Sequence, residues 1–254
     1  MLADYHIHIA AHGEFSYSKD RVTAYMQKAV QRGITALGFC EHDEWAGRVD
    51  RALLDEISAE YPEMDIAVGL EVDFIPGRET EIKYLLAEQP LDYVIGSVHF
   101  IDGWNFDHPD MRYLFEQQDI DRVYQQYFTL VNQAVKSGLF DVAGHLDLIK
   151  IWGHRPRDKK VLYYVEPVLD SIKRAGMAIE INTAGLRKDA AEIYPSPEII
   201  ELVFRMGIPV TLGSDAHTPE QVGENLAETA ALLSRIGFKS IVKFKKRQAL
   251  AIAL

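Results

Sequence analysis

Seven short runs rich in β-branched and aromatic residues recur along the 254-residue chain, at 2–8, 34–40, 65–72, 92–98, 140–146, 177–182 and 208–213. Between them lie stretches with apolar residues three and four apart, the spacing of one helix face, at 20–32, 119–137, 160–175 and 196–206. The last opens with Ser196 and Pro197, a capping side chain followed by proline in the first helical turn. Strands that alternate with helices specify a parallel sheet, open or closed. Seven runs, with an eighth near 240–243, favour closure into an α/β barrel. No linker or low-complexity tract divides the chain, so residues 1–254 are expected to form a single domain.

The ends of these runs carry chemistry in place of packing residues. The first ends in His6 and His8, two apart, and side chains so spaced leave a strand on the same face. The second runs into Glu41, His42 and Asp43, and the third into Glu71 and Asp73. The fourth ends at His99 and the fifth at His145 and Asp147; the sixth carries Glu180 and Asn182, and the seventh leads to Asp215 and His217. In parallel barrels the C-terminal ends of the strands converge on one mouth, where active sites are built. Buried imidazoles and carboxylates are costly unless paired or bound to metal.

His6, His8, His42, Glu71, His99, His145, Asp215 and His217 therefore form a candidate ligand set. A catalytic zinc needs about three protein ligands and an open position, so the set suffices for two or three ions. Imidazole and carboxylate without thiolate suit zinc, iron or manganese. Glu71 could bridge two ions through its two oxygens. Bridged ions generate hydroxide at neutral pH and clamp an oxyanion during in-line displacement, the chemistry of phosphate-ester hydrolysis.

The formal charge of −11 argues against a duplex nucleic-acid partner, although a local site can invert the overall field for a small anion. Cys40 stands alone, which excludes a disulfide framework or a cysteine-based zinc site. It also lacks the arginine of a C-x5-R phosphatase loop, because position 46 is Ala46; a packed core thiol is expected. The N-terminus lacks the pattern of a signal peptide, and no apolar run is long enough to span a bilayer. A cytoplasmic location without a membrane partner is expected. The one cationic cluster, "KFKKR" at 243–247, reads as the solvated face of a last helix.

The order H-x-H, E-H-D, G-x-E, G-S-V-H, G-H and S-D-A-H resembles the polymerase and histidinol phosphatase (PHP) superfamily. The stretches "GLEVDFIPG", "LDYVIGSVHFIDGWNFD", "EINTAGLRK" and "IPVTLGSDAH" are similar to its monofunctional histidinol-phosphate phosphatase branch. The resemblance implies a distorted (β/α)7 barrel, TIM-barrel-like, with a trinuclear metal centre at the C-terminal ends of the strands. By motif position, His6 and His8 hold one ion with Glu71 and Asp215; Glu71 bridges to a second held by His99 and His145. His42 and His217 hold the third with a residue of the loop after the first strand. There the chain departs from the common pattern: "AAHGE" offers His12 or Glu14, and His12 is favoured by the glycine that follows it.

The implied reaction is hydrolysis of L-histidinol phosphate in histidine biosynthesis by a metal-bound hydroxide, with Asp43 and Asp215 as candidate proton donors. Arg187, leaving the sixth strand at the barrel mouth, is the candidate phosphate clamp, set against a surface ion pair; Lys150 is the second candidate. Asp73 and Asp147 read either as partners that orient imidazoles or as helix caps. Trp104 and Phe106 read as pocket lining or rim packing, and His108 and His154 as loop residues. Three alternatives stand beside this reading. They are a PHP phosphoesterase for phosphotyrosine or a nucleotide, an amidohydrolase-type C–N hydrolase, and a metal-stabilised module without activity. The second ordinarily uses a bridging lysine where this chain has Glu71.

Overall fold

In a computed structural model, which describes residues 2–254, all seven apolar runs form strands. The order is β1 (Leu2–Ile7), α1 (Lys19–Gln31), β2 (Ile34–His42), α2 (Arg51–Glu60), β3 (Asp65–Asp73), α3 (Glu79–Ala87) and β4 (Tyr93–Ser97). A small hairpin of β5 (Phe100–Ile101) and β6 (Trp104–Asn105) follows. Then come α4 (Ile120–Ser137), β7 (Val142–Ala143), α5 (Val161–Ala175), β8 (Ala178–Asn182), α6 (Pro197–Met206), β9 (Val210–Gly213) and α7 (Leu226–Ile236). The chain ends in a second hairpin, β10 (Ser240–Lys245) and β11 (Gln248–Ala253). Among the described residues no helix is long and apolar enough to cross a membrane.

Seven strands form one sheet in the order β1-β2-β3-β4-β7-β8-β9, every neighbouring pair parallel. The sheet curls into a nearly closed barrel whose seam lies between β9 and β1. There the ladder shrinks to one bridge, in which His8 N–H donates to the Ala216 carbonyl (2.8 Å) and Ala216 N–H to that of His6 (3.1 Å). Asp4 does the rest. Its fully buried carboxylate accepts from Ser214 N–H (2.8 Å), Ser214 Oγ (2.5 Å) and Gly223 N–H (2.8 Å). A buried carboxylate needs such donors, and here they fix the loop after β9.

The barrel floor is aromatic. Tyr93 is fully buried, donates to the Tyr5 carbonyl (2.8 Å) and meets the Tyr5 ring edge-on with centroids 5.1 Å apart. Gly38 and Gly69 leave room for that ring: an added Cβ would lie 2.2 Å and 2.6 Å from Tyr93 atoms. Phe244 of β10 covers both tyrosines, 5.8 Å from Tyr5 and 5.7 Å from Tyr93.

Two expectations are corrected here. Segment 240–243 is a strand but not an eighth stave of the barrel: β10 pairs only with β11, in a separate antiparallel sheet beneath the floor. The seam is already occupied by β9 and β1, and a tight turn at Lys246 and Arg247, both with positive φ, folds the chain back. "KFKKR" is consequently strand and turn, not helix, and three of its four cations meet carboxylates. Lys243 pairs with Asp65 (2.5 Å), Lys245 with Asp92 (4.0 Å) and Arg247 with Asp141, while the backbone N–H of Lys246 donates to Asp92 (3.1 Å). These carboxylates stand where β3, β4 and β7 begin, so the hairpin clasps the bottom of the barrel.

The floor predicts a sharp response to one methyl group. Gly69→Ala should destabilise the protein by about 1–3 kcal/mol in urea unfolding, the range for overpacking a filled interior. A loss below about 0.5 kcal/mol would show that the Tyr93 ring gives way freely.

Candidate metal centre

Along β2, β3 and β4 every second residue turns into the barrel. From floor to mouth these read Gly38-Cys40-His42, Gly69-Glu71-Asp73 and Tyr93-Ile95-Ser97. The upper layer of this pattern is the candidate site. Glu71, 1% exposed, lies at its centre and its two oxygens face different imidazoles. Oε2 is 3.2 Å from His6 Nε2, 3.5 Å from His8 Nε2 and 3.1 Å from His42 Nδ1. Oε1 is 2.8 Å from His145 Nε2 and 3.6 Å from His99 Nε2, and accepts from Ser97 Oγ (2.7 Å). Asp215 reaches the first group, 3.8 Å from His6, 3.5 Å from His8 and 3.5 Å from His217.

These donors suit metal ions. Nε2 of His6, His8, His42 and His217 is in each case buried without a hydrogen-bond partner. Ligand atoms of His8, His42 and His217 lie within 4.8 Å of one another, as do those of Glu71, His99 and His145. Unpaired buried imidazole nitrogens are expensive, and converging on one point they are the ordinary means of holding a transition metal. His6, His8 and Cys40 form a third such group. Burial pushes the Cys40 thiol up to about 12, however, and its Sγ lies 3.6 Å from the Tyr5 carbonyl, so it stays a packed thiol as its sequence context suggested.

The electrostatics divide the imidazoles: against their burial, neighbouring carboxylates favour the charged forms of His6, His42 and His99, whereas His8 and His217 are shifted the other way. Burial and the neighbouring His42 and His217 hold His8 well below the usual histidine range, and burial lowers His217 to about 4, so both are neutral donors. Burial opposes ionisation of Glu71 and Asp215, but the surrounding imidazoles outweigh it and hold both well below the carboxylate range. For His6 burial is likewise outweighed, by Glu180 and Glu71, which favour its charged form. Carboxylates that favour a proton there favour a divalent cation in its place, so metal binding releases protons.

Partners behind the ligands fix their orientation. Glu180 Oε1 meets His6 Nδ1 at 2.5 Å while Oε2 accepts from His145 N–H (2.7 Å). A Cβ at Gly213 would lie 2.1 Å from Glu180 Oε1, which is why glycine stands there. The sequence placed Glu180 at a strand end without this role; its signal was a glutamate amid the apolar run of β8. Asp73 pairs with His99 Nδ1, which makes it an orienting partner rather than a cap. Glu41 accepts from Ile9 N–H (2.7 Å), Ala10 N–H (3.1 Å) and Tyr17 Oη (2.8 Å), tying down the loop after β1. That loop brings the His12 ring within 4.5 Å of His217 and 5.5 Å of His42, centroid to centroid. Glu14 Oε2 is instead taken by His12 N–H (2.6 Å), so of the two sequence candidates the structure sets His12 beside the third group.

A cavity of about 750 Å³ opens above these residues, lined among others by His12, His42, Glu71, His99, His145, Asp215 and Arg187. Arg187 is half-buried on this wall: it donates to the carbonyls of Ser214 (2.8 Å) and Asp215 (3.1 Å) and also forms an ion pair with Glu224 (3.2 Å). A guanidinium has five N–H donors, so two, on Nε and Nη1, are not spent on these contacts.

Other expectations are corrected. Lys150 is not on the cavity wall; its ammonium is buried and spends three donors on Glu192 (2.7 Å), the Ile193 carbonyl (2.8 Å) and Asp147 (2.9 Å). Asp147 thus neither orients an imidazole nor caps a helix; it accepts from Lys150 and Ser196 N–H (3.0 Å). Asp43 is bound to Arg78 (2.8 Å) and Asp73 N–H (3.3 Å), away from the cavity lining, which removes it as a proton donor. Phe106 is core and Trp104 packs on Phe115 (4.7 Å), so neither lines the cavity. His154 stacks on Phe115 (4.8 Å) as a loop residue, whereas His108, also a loop residue, reaches the cavity rim.

The chain resembles known proteins along nearly its whole length. The PHP domain family model matches residues 4–184 and a PHP-associated model matches 198–231. A "Probable histidinol-phosphatase" of Deinococcus radiodurans is 36% identical over 97% of this chain and 98% of its own. The histidinol-phosphatase of Bacillus subtilis is 29% identical over 87% of this chain and 95% of its own. Among solved structures, the histidinol phosphate phosphatase of Lactococcus lactis, complexed with zinc, L-histidinol and phosphate, superposes with a TM-score of 0.78 at 20% identity. That superposition covers 98% of each chain.

If Glu180 orients His6 as its position indicates, Glu180→Gln should weaken metal binding about 10–100-fold, the usual effect of losing a partner behind a ligand. Competition with a chromogenic chelator measures this, with circular dichroism to show an unchanged fold. Affinity within twofold of the parent would show that Glu180 serves packing alone.

Proposed function

The chain belongs to the PHP domain family, and on that premise we propose that it is a metal-dependent phosphomonoesterase that hydrolyses L-histidinol phosphate to L-histidinol and phosphate. The observation that carries this reading is the position of Glu71, whose two oxygens face two separate imidazole groups on the floor of one cavity. The full-length relative at 36% identity supports the substrate. The same reading places the protein in the cytoplasm, in histidine biosynthesis.

Three sets of residues would hold divalent ions: His6, His8, Glu71 and Asp215; Glu71, His99 and His145; and His12, His42 and His217. Zinc, manganese and iron all suit these donors, with zinc also present in the Lactococcus structure. When bound, such ions lower the pKa of water and offset phosphate charge. The protein supplies the rest. Glu180 and Asp73 hold His6 and His99 in fixed orientations. Arg187 offers its two free N–H donors to phosphate oxygens from a position locked by backbone carbonyls. Asp215, held ionised by the imidazoles that outweigh its burial, would stay in the form that holds a cation.

Phosphate release from L-histidinol phosphate, p-nitrophenyl phosphate, a phosphotyrosine peptide and a nucleotide tests the reading directly. L-histidinol phosphate should be the best substrate, a chelator should abolish the activity, and zinc, manganese or cobalt should restore it. Full activity in protein shown by elemental analysis to be metal-free would end the proposal.

Arg187→Ala should leave metal content intact while lowering kcat/KM about tenfold to a thousandfold, the range for a charge-assisted contact or oxyanion donor. Arg187→Lys should recover only part of this, since an ammonium keeps the charge but not the planar pair of donors. Kinetics within twofold of the parent for the alanine variant would remove Arg187 from the site.

A further inference from the structure

Beside the metal centre, part of the cavity wall is made by Asn105, at the end of β6, and by Asp107, His108 and Pro109 after it. Oδ1 of each is buried and has no hydrogen-bond partner in the protein. Tyr194 lines the same cavity, 1% exposed, with its hydroxyl equally unpartnered. A buried polar atom without a partner costs about 1–3 kcal/mol, so such atoms mark where a ligand completes the structure. The pattern at positions 105 and 107 is informative in sign. A carboxylate oxygen and an amide oxygen both accept, so their partner brings N–H or O–H groups, and the carboxylate asks for a cation.

We propose that Asp107, assisted by Asn105, receives the ammonium group of the substrate, which makes the site selective for phosphate esters of amino alcohols. The assignment rests on the phosphatase reading above and names what that site recognises beyond phosphate. In L-histidinol phosphate the amine sits on the carbon adjacent to the one bearing the ester oxygen. Its receptor must therefore stand close to the metal centre and not at the outer rim. Asp107 meets this condition: it lines the cavity together with His99, and the N–H of Phe106, the residue before it, donates to the His99 carbonyl (3.3 Å). The other cavity carboxylates do not: Glu71 and Asp215 are taken by the imidazoles of the candidate metal centre. Asp73 is occupied by His99 Nδ1, Glu14 by the His12 backbone, and Glu44 is exposed.

The test compares L-histidinol phosphate with its des-amino analogue, imidazolylpropyl phosphate, on metal-loaded enzyme. The parent should prefer the amine-bearing ester by about tenfold to a hundredfold in kcat/KM, the worth of one charge-assisted hydrogen bond. Asp107→Asn should lose most of that preference, mainly through KM for L-histidinol phosphate, with metal content by elemental analysis equal to the parent. No preference in the parent overturns the proposal without need of the variant. Equal losses on both esters, or loss of metal, would make Asp107 a positioning residue behind His99 and overturn it as well. If the parent cleaves neither ester, the phosphatase reading falls instead. Calorimetry with L-histidinol and imidazolylpropanol then decides on Asp107 alone: amine-dependent binding lost in Asp107→Asn supports it, and equal binding of the two alcohols overturns it.

Discussion

Glu71 is the constraint on which the upper half of this barrel depends. A lone carboxylate at 1% exposure is prohibitively expensive, and so are five imidazoles packed around one point. Together each makes the other tolerable. Imidazoles around it, foremost His6 and His42, keep Glu71 ionised against its burial, and Glu71 in turn is their counter-charge. Meeting that requirement takes contributions from β1, β2, β3 and the segments after β4 and β7, which only a closed parallel sheet brings to one place.

The inward-facing residues separate two jobs along the same strands. Gly38 and Gly69 surrender their side-chain volume to Tyr93, and the resulting aromatic floor is closely packed and buried. Two residues further along β3 the same face bears Glu71. The floor is what lets the upper layer carry so much polarity: the core below supplies stability, and the site above is free to spend it.

This division explains what was legible in the sequence. Strand positions were readable because apolar runs ended in His, Glu and Asp, residues that packing alone would not select. The ligand set followed from the same pattern, and so did the value of Arg187, which leaves β8 toward the mouth. Side chains whose role depends on a distant partner were not readable. Lys150 sits after a strand end like a ligand, but Glu192 and the Ile193 carbonyl, about forty residues on, claim its ammonium. Asp43 follows His42 directly, yet Arg78 draws it out of the cavity. The terminal hairpin shows a third kind of miss. Lys243, Phe244 and Lys245 alternate with the period of a strand, but only the acids at the feet of β3 and β7 reveal why it lies under the barrel.

The loop after β9 joins the metal centre to the phosphate-facing wall. Asp215 adopts a positive φ of 54°, a conformation costly for a residue with a side chain, and the surroundings hold it there. Asp4 fixes Ser214 and Gly223 from below, the Ile7–Ala216 bridge fixes the chain beyond, and Arg187 grips the carbonyls of Ser214 and Asp215 from the side. With two anchors independent of Arg187, Asp215 keeps its place when the guanidinium is removed, whereas Arg187 has no comparable support without the loop. The dependence therefore runs one way: the backbone at Asp215 positions Arg187. A chain of net charge −11 repels a phosphate dianion at long range, so its affinity must come from a short-range, pre-aligned positive surface. On the proposed reading, locking Arg187 to the backbone at Ser214 and Asp215 aligns that surface before the substrate arrives.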